Sequence, residues 1–585
     1  MNYSREQQWQ FLEDELQAEI KEFDIKLKAS ASYLMDKGEV FTAQFLSFSN
    51  NGEMRVRFAI SRPIPRKGEY LYCMTLHKEL RNYRNWGNRT YGDLVKDKTN
   101  QTVAICNWTS PSNDSRFILA GFIGIDNKFA DWISDTPGVV LVLGPNRPPY
   151  EYIANLQSLT SHRTSPALSS VLDENYTIKK WEPILLHNND SIHTFIRSQL
   201  ELSSALILQG PPGTGKTYQV SQLVADLCEA GYSVLVTALT NRALMEITKK
   251  DSIKKLLALR KVYKTKITTE EAKDVPLLQI EEKVTPKKGC LVLSTFYITS
   301  GVAADSSAEY PFDYVIMDEA SQAILPMIAA ARLLGRRCVF VGDIKQLPPV
   351  VLSKPSRISS HGYLGLIEGL KTISEHSLYP TYQLTDTYRL TSRSALYTGH
   401  FYNNTLHSKS KEQKISTLDA FFMNRFGGPT LLKTDMEIGN LKDNAMLKLT
   451  LSVVTYIYQK DPACEIAVLS CMKETIRALQ STIYPRIKKT KILIDTVARI
   501  QGLTTDICVY CIPNTSFIHT LEPRLFNVAT SRARRQTIII ADKNILSYTL
   551  MNNNVRDFLS NLDSDFSFYL PYHANKKNIL NPLAE

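Results

Sequence analysis

Two stretches of this 585-residue chain carry residue types that can handle a phosphate ester. The first is Gly210, Pro211, Pro212, Gly213, Thr214, Gly215, Lys216 and Thr217, which fits the spacing G-x-x-x-x-G-K-[ST]. An apolar run, Ala205 to Leu208, precedes it and reads as a buried strand. The segment that follows, as far as Glu229, has helical spacing. In that context backbone N–H groups and the helix N-terminus cradle phosphates. Lys216 is placed to neutralise the β and γ oxygens, and Thr217 to ligate Mg²⁺. A chance glycine loop would lack the flanking strand and helix. The loop implies a nucleoside triphosphate and stops there, because kinases, GTPases and motors share it.

The second stretch is "YVIMDEASQ", which sets Asp318 and Glu319 at the end of an apolar strand. Downstream of a phosphate loop, a carboxylate at Asp318 suits Mg²⁺ coordination, and Glu319 can orient and deprotonate an attacking water. The plain structural alternative is a pair of helix-capping acids. In "FVGDIKQLPPVV", Gln346 lies in the turn after another apolar strand, near the same sheet edge, where its amide can sense a γ-phosphate. Two arginine motifs follow: Tyr388 and Arg389 in "LTDTYRLTS", and Arg532, Arg534 and Arg535 in "FNVATSRARRQTIII". Both belong to a later α/β series. An arginine supplied across a domain cleft stabilises charge on a transferring phosphoryl group and ties hydrolysis to cleft closure.

These groups need elements to position them. Residues 4–28 read as one amphipathic helix, with Trp9, Leu12, Leu16, Ile20, Phe23 and Leu27 at spacings of three and four and a capping box from Ser4 and Gln7. From Gly38 the period changes to two. "GEVFTAQFLSF" and "EMRVRFAI" flank "SNNG" as a hairpin, with Met54, Val56, Phe58 and Ile60 on one face. Four more short strands follow, and a small β-barrel over residues 35–160 is the natural reading. From residue 185 apolar strands alternate with helical stretches, first to about 355 and again from about 380, giving two parallel sheets covered by helices.

The motif series resembles that of superfamily 1, subgroup B helicases, most closely the Upf-like and immunoglobulin-mu-binding-protein-like group. The matches run in family order: GPPGTGKT (210–217), "LVTALTNRAL" (235–244), "LVLST" (291–295), DEASQ (318–322), GDIKQLPP (342–349), YR (388–389), "IDTVARIQG" (494–502) and "NVATSRAR" (527–534). The first helix and barrel resemble that group's stalk and 1B barrel in architecture alone. The resemblance implies an α/β fold of two tandem RecA-like P-loop domains. It divides the chain into a stalk helix (1–34), a barrel (35–165), RecA-like domain 1 (166–355, with a basic insertion near 249–288), RecA-like domain 2 (356–562) and a tail (563–585). It implies that Lys216, Thr217, Asp318 and Glu319 bind and hydrolyse Mg·ATP. Gln346, Arg389 and Arg532 would contact the γ-phosphate, and Tyr388 would stack on the base. Thr240, Asn241, Thr295 and Gln501 would line or couple the nucleic-acid track, with Asp495 and Gly502 holding the linking motif. The family also places a Gln about twenty residues before the loop to read adenine. Here "LLHNNDSIHTF" offers Asn188, Asn189 and Asp190 instead, so Asn188 stands as the base-reading candidate.

Composition agrees with a polyanionic partner. Lys+Arg exceed Asp+Glu by 69 − 58 = 11, and the isoelectric point is about 9.0. No apolar run reaches the roughly 18 residues of a membrane span, and the charged N-terminus is unlike a signal peptide. Nine scattered cysteines point to reduced thiols and a cytoplasmic protein. Cys508 and Cys511 have C-x-x-C spacing, but they sit in a strand that sends them to opposite faces. "RNYRNWGNRTY" interleaves Arg81, Arg84 and Arg89 with Tyr83, Trp86 and Tyr91, which suits a single strand or, equally, a solvated barrel loop. Residues 249–288 hold 12 Lys/Arg against 6 Asp/Glu. The expectation is an ATP-dependent translocase on single-stranded nucleic acid, DNA ahead of RNA, moving 5′ to 3′ by resemblance. An ATP-gated clamp or an RNA helicase stays open beside it, as does an unrelated P-loop enzyme such as a small-molecule kinase.

Overall fold

The computed structural model describes residues 3–572 apart from 51, 66–68, 77–85, 97, 115, 136–138, 149, 162–164, 174–181, 188–190, 268, 354–357, 359–360, 377, 412–419, 488–491, 501 and 516–518. The chain opens with helix Arg5–Lys28, started by the reciprocal Ser4–Gln7 capping box read from the sequence. Its buried face is Gln8, Phe11, Leu12, Asp14 and Glu15, with Leu16 packed at the margin. Trp9, expected on that face, is 37% exposed, because the stripe is phased by Phe11 and Leu12.

Six strands then close an antiparallel barrel. Around it run Phe41–Phe48, Met54–Ala59, Phe117–Ile123, Lys98–Pro111, Tyr70–Leu76 and Val140–Gly144, which returns to the first. Met54, Val56 and Phe58 fill its interior, as their alternation predicts. Ile60 lies just past the strand end and is 53% exposed. The barrel ends earlier than expected. Helix Tyr150–Ser161 leaves it, and Ile153, Leu156 and Leu159 share a core with Phe11 and Leu12 of the first helix.

A nine-stranded parallel sheet follows, in the order Gln279–Ile280, Val262–Lys264, Leu291–Thr295, Val234–Ala238, Phe312–Met317, Gly335–Gly342, Ala205–Gln209, Thr381–Leu384, Ile184–Leu186. Alternate residues feed two cores. Ala205 and Ile207 face one, and Leu206 and Leu208 the other. Each large aliphatic buried this way is worth about 1.5–3 kcal/mol. The basic stretch 249–288 lays two short strands on the sheet edge, beside the short helices Lys254–Ala258 and Thr269–Asp274. One expectation changes here. The first lobe runs past residue 355. Helices Leu364–Ile367 and Gly369–Glu375 pack in its core, and Thr381–Leu384 is one of its strands.

The second lobe is a six-stranded parallel sheet, ordered Ile492–Thr496, Ile466–Ser470, Thr505–Cys511, Ala533–Asp542, Gly428–Thr434, Ser567–Tyr569. Cys508 and Cys511 point into its two opposite cores, as the spacing predicts. The expected tail from 563 is partly structural, since Ser567–Tyr569 pairs with Gly428–Thr434. Residues 573–585 lie outside the described residues. Among the described residues no helix is long and apolar enough to cross a membrane.

Candidate active site

Strand Ala205–Gln209 delivers the chain into the glycine loop, and helix Lys216–Glu229 begins at its far end with Gly215 as N-cap. The first amides of that helix have no intrahelical acceptor, which is the basis of an anion site. Lys216 donates to the Gly210 carbonyl within the loop. Burial pushes its ammonium down, while Asp343 and Asp318 pull it back up. Gly213 has φ +75°, and a Cβ there would lie 2.4 Å from Arg389 Cβ and 2.7 Å from Thr387 Oγ1. Only glycine lets the loop lie against the Tyr388–Arg389 segment at this distance. That segment is bonded to the loop as well: the Tyr388 N–H donates to the Gly213 carbonyl at 2.8 Å, and Thr387 Oγ1 donates to the Pro212 carbonyl at 2.9 Å.

Strand Phe312–Met317 ends directly at Asp318, which is 3% exposed. Burial raises its carboxyl, and the Glu319 N–H at 2.9 Å, Lys216 and the Thr217 hydroxyl oppose that rise. Glu319 takes the left-handed conformation at φ 55°, a strained position for a residue with a long side chain. Its carboxyl is pushed up to about 7, first by burial and then by Asp318, with Lys216, Arg532 and Arg242 acting against the shift. Glu319 Oε2 is buried without a hydrogen-bond partner among the described residues. A carboxyl poised near neutrality and aimed at a phosphate loop can take a proton from water.

Gln346 is held at both ends. Its Nε2 donates to Asp343 Oδ2 at 2.7 Å, and its Oε1 accepts from Arg532 Nη2 at 3.1 Å. Arg532 belongs to the second lobe and is 2% exposed. Burial brings its guanidinium down to about 10, against the pull of acidic groups that include Asp343 and Glu319. Arg389 donates to the Ser531 carbonyl at 3.4 Å. Burial and then the charges of Arg532 and Arg534 bring it down to about 9. Two cations crowded together at such cost are poised for an anion between them.

Of the residues singled out from sequence, Lys216, Thr217, Asp318, Glu319, Gln346, Arg389 and Arg532 converge on one cleft. Tyr388 lies at its rim, half exposed. Gly502, at φ +81°, has its Cβ position 3.7 Å from Glu319 Oε1, so the "IDTVARIQG" segment reaches the same place. Thr240 caps helix Asn241–Thr248, Thr295 closes strand Leu291–Thr295, and buried Asp495 accepts from the Thr496 N–H. Arg534 and Arg535 turn away, to Asp506 and Glu465 and to Asp461. Tyr91 is fully buried and donates to the Pro145 carbonyl, so it presents no free face to a strand, and Trp86 is partly buried against the same cluster. Asn188, Asn189, Asp190, Gln501, Arg81, Tyr83 and Arg84 lie outside the described residues. The sequence reading missed Asp343, Tyr402 and Asn527, which are buried between the lobes. Asp343 and Asn527 stand in the quoted "GDIKQLPP" and "NVATSRAR", where their place beside Gln346 and Arg532 was the available signal; Tyr402 carried none. No group of three or more metal-ligating side chains occurs among the described residues.

Two family models, each described as "AAA domain", match this part of the chain. One covers residues 187–288 and 252–354, the other 369–544. The chain belongs to the superfamily 1 helicases, in the Upf-like and DNA2-like group. It is 26% identical over 443 residues to the "DNA replication ATP-dependent helicase/nuclease DNA2" of Saccharomyces cerevisiae, covering 67% of this chain and 28% of that one. The Bos taurus protein of the same name is 34% identical over 197 residues, covering 32% of this chain and 18% of its own. The chain thus spans less than a third of either relative. A solved structure titled "Crystal structure of Arterivirus nonstructural protein 10 (helicase)" aligns over 81% of this chain and 77% of its own, at 12% identity and a TM-score of 0.36. The family models imply nucleotide use by this part of the chain.

Proposed function

We propose that the chain is an ATP-driven translocase on single-stranded nucleic acid that separates duplexes, with DNA as its preferred strand. The observation that carries this reading is the split site. The glycine loop, Asp318, Glu319 and Gln346 belong to one lobe, and Arg389 and Arg532 reach them from the other, with Arg532 to Gln346 at 3.1 Å. A site complete only when two lobes meet links hydrolysis to cleft closure, and that link lets hydrolysis drive motion. Movement 5′ to 3′ comes from the family resemblance. We divide the chain into stalk, barrel and two RecA-like lobes, the first lobe running to Leu384. Reduced, mostly buried thiols fit a cytoplasmic setting.

In this reading the loop amides from Gly210 to Thr217 and the Lys216 ammonium hold the phosphates. Glu319 aligns a water on the γ-phosphorus and accepts its proton as the P–O bond to the β-phosphate breaks and ADP leaves. Gln346 reads the γ-phosphate, and Arg389 and Arg532 stabilise the charge that spreads over its oxygens. Tyr388 offers its half-exposed ring to the base, and the sequence leaves Asn188 as the candidate polar reader. The Thr217 hydroxyl and Asp318 carboxylate are hard oxygen donors that fit Mg²⁺, and the hydroxyl favours the charged form of the carboxyl. When bound, that ion would neutralise charge on the β and γ oxygens.

The test is the ATP hydrolysis rate with single-stranded DNA and RNA of equal length, beside a strand-displacement assay. Stimulation by both strands, larger for DNA, with displacement of the duplex, is expected. Hydrolysis indifferent to either strand would overturn the reading. Stimulation without displacement would leave an ATP-gated clamp, and a larger effect of RNA would reverse the strand preference.

A further inference from the structure

Behind the hydrolytic site, a second row of buried side chains joins the lobes, and none of the roles above uses it. Asp343, 2% exposed, accepts four hydrogen bonds. Oδ1 takes Gln209 Nε2 at 2.9 Å and the Lys345 N–H at 3.0 Å, and Oδ2 takes Gln346 Nε2 and the Tyr402 hydroxyl, each at 2.7 Å. The first three donors belong to Asp343's own lobe. Tyr402 packs in the second lobe's core, with Phe401 and Phe526. Its hydroxyl oxygen accepts from Asn527 Nδ2 at 2.8 Å, and the same nitrogen donates to the Lys345 carbonyl at 2.8 Å. Asn527 lies in helix Pro523–Thr530, and Arg532 follows just past the helix end.

The result is a closed ring of contacts: Gln346, Asp343, Tyr402, Asn527, the end of its helix, Arg532, and Gln346 again. Two of its links cross the cleft, Tyr402 to Asp343 and Arg532 to Gln346, and the Asn527 bond to the Lys345 carbonyl crosses beside them. Burial holds the Tyr402 phenol far above its usual range, so it remains a donor. Each group in the ring has a fixed direction: the hydroxyl proton goes to a carboxylate, and each Asn527 amide hydrogen has its own acceptor. Asn527 Oδ1 has no partner among the described residues, but the donors that join the ring are all used, and removing one member leaves the others short.

Resting on the reading above, we propose that Tyr402 is a positioning residue for hydrolysis: its hydroxyl, fixed between Asp343 and Asn527, sets Gln346 against Arg532 when the cleft is closed. Among the described residues it makes no hydrogen bond to the phosphate loop. Its removal therefore acts on turnover and spares nucleotide affinity. The same logic places Asn527 in the chain with it, so the two act as one unit.

The experiment uses the full chain as wild type, Tyr402→Phe, Asn527→Ala and the double variant. Strand-stimulated kcat and KM for ATP are measured per active molecule, counted from the stoichiometry of nucleotide binding, alongside Tm. We expect each single variant to lose about tenfold in kcat with KM within about twofold, the scale of one hydrogen bond to a buried charge. The double variant should fall no more than about twofold below the weaker single. A kcat for Tyr402→Phe within about twofold of wild type would overturn the proposal. So would losses that multiply in the double variant, or a raised KM in place of a lowered kcat. A merely structural role would lower Tm and the active fraction and leave kcat per active molecule unchanged, which also overturns it. Wild type without strand-stimulated hydrolysis would overturn the underlying reading, and the proposal with it.

Discussion

The proposed function gives Lys216 and Glu319 opposite kinds of work, and substitution should separate them. Lys216→Ala removes the ammonium that compensates phosphate charge, so triphosphate binding should weaken. Glu319→Gln keeps the shape but supplies a poor base, so binding should survive while turnover is lost. Glu319→Gln turning over at the wild-type rate would remove its assigned role. The pH profile should carry the same signature. Glu319 works as a base only when ionised, and its carboxyl is pushed up to about 7 by burial and by Asp318. The rate constant kcat/KM should therefore rise with pH through an apparent value near 7; an acid limb near the ordinary 4.5 would contradict the burial argument. The stability sign follows from the same shift. The folded carboxyl keeps its proton above the unfolded value, so this group's contribution is full below pH 4.5 and lost as pH rises toward 7. Nucleotide choice is also a residue-scale matter. Tyr388 offers a ring that accepts either purine, and GTP should support activity within about tenfold of ATP, a gap of about 1.4 kcal/mol. A preference for ATP of several hundredfold, measured as a ratio of kcat/KM, would mean that a polar group reads adenine.

Elements turn these residues into a site, and one anchor shows how. Glu15, near the middle of helix Arg5–Lys28, accepts from the Leu352 N–H at 2.6 Å, the Ser353 N–H at 3.0 Å and Ser353 Oγ at 2.8 Å. That ties the stalk to the segment six residues beyond Gln346. Glu15→Ala should speed amide exchange at Leu352 and Ser353 by about ten- to a hundredfold, as expected for losing a buried charged acceptor. Unchanged protection would mean that the segment is held by its apolar neighbours. Elements with a repeating pattern were legible in sequence: the first helix and its cap, the 54–58 strand face, and the opposed Cys508 and Cys511. Strands of two or three residues were not. Val262–Lys264, Gln279–Ile280 and Ser567–Tyr569 are too short to show a period, and exist because a neighbouring strand offers them partners. Thr381–Leu384 was misplaced for a related reason. Its apolar pattern suits either sheet, and only pairing with Ala205–Gln209 decides. Within the site, loop and acid residues were readable because their chemistry is tied to fixed spacing. Asp343, Tyr402 and Asn527 come from three distant segments, and no local spacing joins them.

At the scale of the whole molecule, the lobes meet through directed polar contacts. Besides the contacts of Arg532, Tyr402 and Asn527, Arg524 forms a two-pronged pair with Glu368 at 2.7 and 2.8 Å. The barrel touches the second lobe too, through Arg477 to the Lys37 carbonyl and Arg499 to Glu69 at 3.9 Å. Such contacts break and re-form at defined geometry, as alternating open and closed states require. The central claim is that hydrolysis waits for closure, and Arg532 is where it is most exposed. The decisive measurement is ATP turnover by Arg532→Ala with saturating single-stranded DNA, with nucleotide binding and strand binding measured on the same protein. The account predicts loss of the stimulated rate, by about 10³–10⁵-fold if Arg532 acts as other arginine fingers do, with both affinities largely retained. Stimulated hydrolysis that persists while strand binding fails would contradict it, making Arg532 a nucleic-acid contact and leaving the closure mechanism without its principal link.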